Sequence, residues 1–153
     1  MITILYDQPW QTTPPEEMME RAVRAALPDG DGELCLRLSD NESVQQLNNR
    51  WRQIDSVTDV LAFPMQDGDI DYTQPLGDIV VAIPFVQQAA HNLALDSHAH
   101  LIHLIIHGTL HLIGFDHDEE RDKQIMRAEE RRIMQTLDLH DPWPTPEMMS
   151  SRQ

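Results

Sequence analysis

Residues 97–115 form the longest run of the chain without an aspartate, glutamate, lysine or arginine, and these 19 residues limit what the chain can fold into. A helix that crosses a bilayer needs roughly 20 mainly apolar residues, so a membrane span has to be considered. Five of the 19 residues are histidines, at positions 98, 100, 103, 107 and 111. Lipid would desolvate all five rings at high cost. The run therefore predicts a helix over 97–113 that is buried or forms a site, with no membrane involved.

Shorter patterns predict the elements around this helix. Alternating apolar and polar residues are typical of strands, while prolines, glycines and acids mark helix ends. Ser39 followed by Glu42 matches a capping box, which would make Ser39 the N-cap of a helix. The predicted strands are 2–7, 33–38, 59–63 and 77–82, and the predicted helices are 14–27, 39–51, 84–93, 97–113 and 119–137.

The order of these elements predicts the fold class. Strands and helices alternate, two strands follow one another, and the remainder is helical, which favours an α+β (mixed α/β) fold. We expect a single small mixed β-sheet of about four strands, flanked by helices. No repeat or linker divides the chain, so residues 1–139 are predicted to be one domain. Residues 140–153 are rich in proline, cannot hold a regular element, and are expected to be a flexible tail.

Charge and cysteine content narrow the functional classes. With 11 Lys+Arg against 26 Asp+Glu the formal net charge is −15, which argues against binding nucleic acid or anionic membrane by general attraction. The single cysteine, Cys35, excludes an internal disulfide framework and fits a reducing, cytoplasmic compartment. The first residues lack the basic start of a secretory signal.

Three histidines in the uncharged run and just after it have the spacing of metal ligands. His107 and His111 are four residues apart, so on a helix both rings lie on one face with about 6 Å of rise between them. Gly114 suits the left-handed conformation that ends a helix, after which a turn can bring His117 to the same point. Imidazole nitrogens bind zinc at about 2 Å. This HxxxHxxxxxH pattern predicts a zinc site, and a buried, hydrogen-bonded histidine set is the alternative.

The neighbouring residues are expected to have lesser roles. His103 lies about 12 Å of helix rise from His111, too far to share one ion, and is expected to support a ligand or to pack. His98 and His100 are expected at the surface. Asp116 is expected to orient a ligand imidazole, although it could instead act on a substrate or cap the next helix.

The ligand spacing and the glycine match the metzincin pattern HExxHxxGxxH, with one difference. The catalytic glutamate of those proteases is replaced by Gly108, so the general base for peptide hydrolysis is missing. Three protein ligands leave a fourth metal position for water, as in catalytic zinc sites. The pattern therefore indicates a metal-dependent hydrolase that is not a standard metalloprotease.

At these residues the sequence resembles the YbeY family of bacterial endoribonucleases. The family motif HGxLHLxGyDH reads HGTLHLIGFDH here, with Phe115 in place of the usual tyrosine. The resemblance spans nearly the whole chain. The other matching segments are 47–52 with 58–64 (the family's LN…R…TDVLSFP, with Ala62 in place of its serine), 76–79 (LGDI), and Met126 with Glu129 or Glu130 in the last helix.

The resemblance implies a zinc-dependent endoribonuclease directed at single strands. Such an enzyme would mature ribosomal RNA, notably at the small-subunit 3′ end, and take part in ribosome quality control. The resemblance also implies that His107, His111 and His117 bind one zinc ion and that Arg52 is the functional arginine. The implied partners are ribosomal RNA or the ribosome, with ribosomal proteins or GTPases of its assembly. Neither DNA nor a membrane is expected.

The distribution of charge supports Arg52 independently. Between residues 53 and 120 there are eleven Asp+Glu and no Lys or Arg, so a phosphodiester near the metal needs positive partners from elsewhere. Arg50 and Arg52 are the last cations before that stretch. A guanidinium can clamp a phosphate and stabilise the charge of the transition state. The alternative is that Arg52 is a solvated residue at a helix end, where it interacts with the dipole.

Other points stay open at the level of sequence. The attacking group could be water or the ribose 2′-OH, and the base could be the metal's own water, Asp116 or the substrate. The rival functions are a divergent metalloprotease-like hydrolase and a non-catalytic, zinc-stabilised ribosome-assembly factor. A basic run in the last helix forms either an RNA-binding stripe or, as is more usual, a salt-bridged solvated face. Its members are Arg121, Lys123, Arg127, Arg131 and Arg132.

Overall fold

The structure is a computed structural model, which describes residues 1–144. Four strands and five helices alternate through this part of the chain much as the sequence predicts. They are β1 (Ile2–Tyr6), α1 (Glu16–Ala26), β2 (Glu33–Ser39), α2 (Asn41–Arg52), β3 (Val60–Pro64), β4 (Pro75–Ala82), α3 (Ile83–Asn92), α4 (Ser97–Leu112) and α5 (Glu120–Thr136).

The strands form one mixed sheet in the order β1-β2-β4-β3. β1 and β4 both run parallel to the central β2, whereas β3 pairs antiparallel with β4 through the hairpin that joins them. α1 makes the crossover between the two parallel strands β1 and β2, as parallel pairing requires. The predicted α+β class, with a single mixed sheet of four strands flanked by helices, is confirmed.

The uncharged run becomes α4, the central helix of the fold. Twelve of its 16 residues are buried, and it packs against α1, α3, α5 and the β3–β4 hairpin. The surrounding helices and strands of the same chain therefore supply the apolar environment that this helix requires. Within residues 1–144, no helix has the length and apolar character needed to cross a membrane.

The start of α2 differs from the capping box expected at Ser39. The N-cap is Asp40, whose carboxylate accepts a hydrogen bond from the backbone N–H of Ser43 at 2.7 Å. Ser39 remains in β2, paired with Ala82 of β4, and its hydroxyl donates to the carboxylate of Asp7. Strand pairing extends one residue further than the local pattern indicates, so the cap moves one residue along.

The segment 140–144 has no helix or strand, as its sequence predicts, and it contacts α5. Arg131 of α5 pairs with Asp141 at 3.1 Å and donates a second hydrogen bond to the backbone carbonyl of Trp143. The guanidinium of Arg127 lies 3.9 Å from the centre of the Trp143 ring. These contacts place the segment against α5, and the flexible tail expected for residues 140–153 stays a prediction. Residues 145–153 lie outside the described part of the chain.

Candidate metal centre

The three histidines with metal-ligand spacing converge in the structure. The Nε2 atoms of His107 and His111, one turn apart on α4, lie 3.1 Å from each other. With His117, each residue offers one ring nitrogen, and the three nitrogens lie within 4.8 Å of one another. The sequence spacing thus brings together three imidazoles that can share one ion.

The turn after α4 delivers His117 to this point. Gly114 has a φ of +103°, a conformation that side chains disfavour. The N–H of Gly114 donates to the carbonyl of His111, and the N–H of Phe115 donates to the carbonyl of Leu110. The chain thereby reverses within a few residues, as the glycine in the motif predicts.

A buried carboxylate of α5 supports the histidines from behind. Glu130 is 1% exposed; it accepts a hydrogen bond from Nε2–H of His103, and its other oxygen lies 3.4 Å from Nδ1 of His107. Burial raises the pKa of Glu130, but the hydrogen bonds with His103 and His107 outweigh it and bring the pKa down to about 2. An ionised Glu130 favours the His107 tautomer that carries its proton on Nδ1, which leaves Nε2 free as a ligand atom.

The donor set fits a zinc ion. Burial, followed by the nearby charges of His107 and His117, lowers the pKa of His111 to about 4, so near pH 7 its ring is neutral and can bind a metal. Two nitrogens bound tetrahedrally at about 2.0 Å would lie roughly 3.3 Å apart, close to the 3.1 Å between His107 and His111. Three imidazoles also leave a fourth position for water or substrate.

Gly108 sits where helix α4 touches the sheet. A Cβ built at this position would lie only 2.8 Å from Cγ2 of Ile79 in β4. Gly108 also belongs to the lining of the cavity beside the three histidines. Its close contact with Ile79 means that any residue larger than glycine here must push against the sheet.

One side of the centre opens into a cavity of about 520 Å³, which we call the metal cleft. Arg52, the last residue of α2, is exposed and reaches this cleft. Among the described residues that line it, Arg52 is the single lysine or arginine. Three histidines and three aspartates also belong to its lining: His107, His111, His117, Asp59, Asp116 and Asp118.

Comparison with known proteins identifies the family. Residues 7–138 match the family model described as Endoribonuclease YbeY. The chain belongs to the YbeY family. The resemblance read from the HGTLHLIGFDH motif is therefore confirmed.

Relatives named Endoribonuclease YbeY match most of the chain. The protein of Stutzerimonas stutzeri is 43% identical over 115 residues, covering 74% of this chain and 72% of the relative. That of Azorhizobium caulinodans is 38% identical and covers 94% of this chain and 95% of the relative. A Thermotoga maritima protein solved in solution shares the fold, with a TM-score of 0.56, 24% identity, and coverage of 95% of this chain and 100% of that one.

Two side chains of this YbeY protein lie elsewhere than expected. Asp116 lines the metal cleft, but its carboxylate accepts the N–H of Asp118 at 2.6 Å, and Glu130 is the carboxylate that contacts the imidazole of His107. His100 is only 8% exposed, so the expectation of a surface position is wrong for it. His103 supports the centre through Glu130, as its position on α4 suggests.

Four of the five residues in the basic run of α5 fall into two groups. Arg132 pairs with Glu129, and Arg131 pairs with Asp141, as in a salt-bridged solvated face. Lys123 pairs with Glu120 at 4.0 Å, and with Arg127 it also lines a cavity of about 300 Å³ together with His107 and His117. Positive charge therefore flanks the metal centre on two sides, with Arg52 on one and these two residues on the other.

The family resemblance includes Glu129 or Glu130 but gives neither a role, and the sequence patterns give none to Trp143. Met126, Glu130 and Met134 are buried and spaced four residues apart on α5, so Glu130 is a charged residue within an apolar stripe. That interruption is the signal by which sequence could have found it. Trp143 gives no such sequence signal, because its contacts depend on how the segment 140–144 folds back on α5.

Proposed function

We propose that this YbeY protein is a zinc-dependent endoribonuclease that cleaves single-stranded RNA during maturation of the small-subunit ribosomal RNA 3′ end and in ribosome quality control. As a family member it is an enzyme, a hydrolase of RNA. One observation carries the proposal: three convergent imidazoles and the exposed Arg52 line the same cleft. A ribosomal substrate places the enzyme in the cytoplasm, with ribosomal proteins or assembly GTPases as its partners.

The residues at the cleft have separate roles in cleavage. One zinc ion per chain, held by His107, His111 and His117, would polarise the scissile phosphate and lower the pKa of water. Arg52 binds the same phosphate through its guanidinium and neutralises the charge that develops during cleavage. Glu130 keeps His107 in the binding tautomer and, being buried, does not touch RNA.

The acids of the cleft supply the proton acceptors. Gly108 occupies the position of the metzincin glutamate, so that base is absent. Three carboxylates line the cleft beside the three histidines. Asp116 follows the turn directly before His117, so it is well placed to accept a proton from the attacking hydroxyl. The arrangement suits an attack by water and an attack by the ribose 2′-OH equally.

The test is cleavage of a single-stranded ribosomal RNA fragment by protein that has been chelated and then restored with zinc. His111→Ala serves as the control for contaminating nucleases. We expect Arg52→Ala to lower kcat about 10²–10³-fold while zinc content and thermal unfolding stay unchanged. The matched control is Arg50→Ala, because Arg50 stacks on Trp51 at 5.4 Å and does not line the cleft.

The rival functions make different predictions in the same assay. RNA processing that survives both Arg52→Ala and His117→Ala would favour a non-catalytic assembly factor in which zinc only stabilises the fold. Peptide hydrolysis without RNA cleavage would favour a metalloprotease-like hydrolase. The glycine at position 108 argues against that second rival, because the glutamate base of a metzincin is absent.

A further inference from the structure

A second cavity lies beside the candidate metal centre, on the side of helix α5. Its volume is about 300 Å³, and two of the three histidines of the centre, His107 and His117, belong to its lining. A group bound here would therefore lie next to the ion that those histidines hold. The cleavage scheme above uses Arg52 in the metal cleft and gives no role to this cavity, which we call the α5 cavity.

The α5 cavity has a net positive charge. Lys123 and Arg127 are four residues apart on α5, which places them on one face of the helix, and both line the cavity. The one acid in the described lining is Glu130, which is 1% exposed and already contacts His103 and His107. A zinc ion at the histidines would add two positive charges. An anion in the cavity would offset the repulsion among these groups.

The guanidinium of Arg127 is held in place but keeps its hydrogen-bonding capacity. It lies 3.9 Å from the centre of the Trp143 ring, and stacking of this kind uses the flat face of the guanidinium and leaves the N–H groups at its edge free. Within residues 1–144, Arg127 has no ion pair, although it is half-buried. A partly desolvated guanidinium in this state favours an anion that accepts two hydrogen bonds, such as a phosphate.

Lys123 is available as a second contact. Its amine lies 4.0 Å from the carboxylate of Glu120, whose side chain is 74% exposed. Exposed pairs of this kind contribute little free energy, so the amine can turn to a phosphate at small cost. By contrast, Arg131 and Arg132 pair with acids of their own and do not line the α5 cavity.

We propose that the α5 cavity binds a backbone phosphate of single-stranded RNA that neighbours the scissile phosphate, through Arg127 and Lys123. The inference rests on the function proposed above. Arg52 and these two residues lie on different sides of the same histidines, so two phosphates of one strand are held beside the ion. Contacts with phosphates fix the register of a strand and read no bases. Arg127 and Lys123 are therefore positioning residues, and a bond at a chain end that lacks the neighbouring phosphate is cut poorly.

The test neutralises the phosphates of a single-stranded ribosomal RNA fragment one at a time. An uncharged methylphosphonate replaces each phosphate near the cut in turn, and kcat/KM is measured with zinc-loaded protein. Each methylphosphonate follows a 2′-O-methyl nucleotide, which keeps the linkage intact, and the reference RNA carries the same methyl group with an ordinary phosphate. The variants are Arg127→Gln, Lys123→Gln and the two combined.

The matched control is Arg132→Gln. It removes the same charge from the same helix, at a residue that pairs with Glu129 and does not line the α5 cavity. Thermal unfolding and zinc content are compared for all the variants. If loss of the contact with Trp143 prevents Arg127→Gln from folding, Lys123→Gln still tests the inference, because its side chain is 37% exposed.

We expect one internal methylphosphonate to lower kcat/KM of the unmodified protein about tenfold or more, as for lost hydrogen bonds to a charged group. Each single variant should lower activity on the reference RNA and reduce the methylphosphonate effect, and the double variant should abolish that effect. Arg132→Gln should behave like the unmodified protein on both substrates.

Three results would overturn the inference. The first is equal activity on all the methylphosphonate substrates. The second is a methylphosphonate effect that both single variants leave unchanged. The third is an effect confined to a terminal phosphate, because the cavity would then hold a chain end and not the backbone.

A binding assay separates failure of this inference from failure of the proposed function. Zinc-free protein is titrated with a 2′-O-methyl oligonucleotide that carries a methylphosphonate at each position in turn, and anisotropy is followed. If RNA is never cleaved but one methylphosphonate weakens binding to the unmodified protein and not to the double variant, the phosphate subsite stands and the nuclease proposal fails. Cleavage that is indifferent to every methylphosphonate removes the subsite alone.

Discussion

At the scale of single residues, Glu130 connects helix α5 to the candidate metal centre. Its carboxylate contacts His103 and His107 from a site that is 1% exposed. Carboxylates that hold a ligand imidazole are typically worth 10–100-fold in metal affinity. We therefore expect Glu130→Gln to weaken zinc binding about 10–100-fold, as measured by competition with a chelator.

The control for this prediction is the neighbouring acid. Glu129→Gln removes the same charge from the same helix, but Glu129 pairs with Arg132 at the surface. This variant should keep zinc affinity within about twofold of that of the unmodified protein, because exposed ion pairs contribute little free energy. Equal zinc affinity of the Glu130→Gln variant and the unmodified protein would show that Glu130 only fills space.

Gly108 gives a second prediction at this scale, about packing. Alanine is the better helix former by up to about 1 kcal/mol, but its Cβ would lie 2.8 Å from Cγ2 of the buried Ile79. Overpacking of this kind costs about 1–3 kcal/mol. We expect Gly108→Ala to lower the free energy of unfolding of zinc-free protein by about 1–2 kcal/mol in urea titrations. A more stable variant would mean that helix propensity outweighs the contact with the sheet.

At the scale of elements, an ion pair ties the end of β1 to β2. Asp7 accepts hydrogen bonds from Ser39 and, at 2.8 Å, from Arg37. Burial raises the pKa of Asp7, but these two partners outweigh it and hold the pKa below its ordinary value. The unfolded chain therefore binds the proton more readily, so this stabilisation exists above about pH 4 and is lost as the pH falls further.

The corresponding variant is Asp7→Asn. Because Arg37 is half-exposed, we expect a loss of only roughly 1 kcal/mol at pH 7, and this difference from the unmodified protein should shrink below about pH 4. Urea unfolding of zinc-free protein at pH 7, 5, 4 and 3 measures it. If the difference in the free energy of unfolding stays constant down to pH 3, the loss comes from altered packing or hydrogen bonding and not from the charge of Asp7.

Elements are predictable from sequence where the signal is local. The uncharged run predicts α4 almost to the residue, and the histidine spacing with Gly114 predicts the convergence of three imidazoles. The N-cap of α2 lies one residue further along because Ser39 pairs with Ala82, a partner 43 residues away. The interrupted apolar stripe of α5 marks Glu130 as unusual, but the partners of Glu130 and Trp143 lie on other elements, and no local pattern identifies them.

At the scale of the whole molecule, a net charge of −15 opposes RNA, so binding depends on a few local cations. Arg52 lies on one side of the metal centre, and Lys123 and Arg127 lie on the other. Each phosphate neutralised on a single strand adds about −0.7 to the slope of log K against log salt. Three contacts predict a slope of about −2 for a non-cleavable RNA bound to zinc-free protein, and weak unaided activity at high salt.

Single variants should locate those contacts. Arg127→Ala should make the slope less steep by about 0.7, whereas Arg21→Ala, at an exposed position on α1, should leave it unchanged. Anisotropy titrations over a range of salt concentrations measure both slopes. If Arg127→Ala weakens binding without altering the slope, Arg127 acts through its stacking on Trp143 and not on a phosphate.

A slope near zero for the unmodified protein would mean that RNA is held without phosphate contacts. The acidic surface would then select for RNA presented by a basic partner, such as a ribosomal protein.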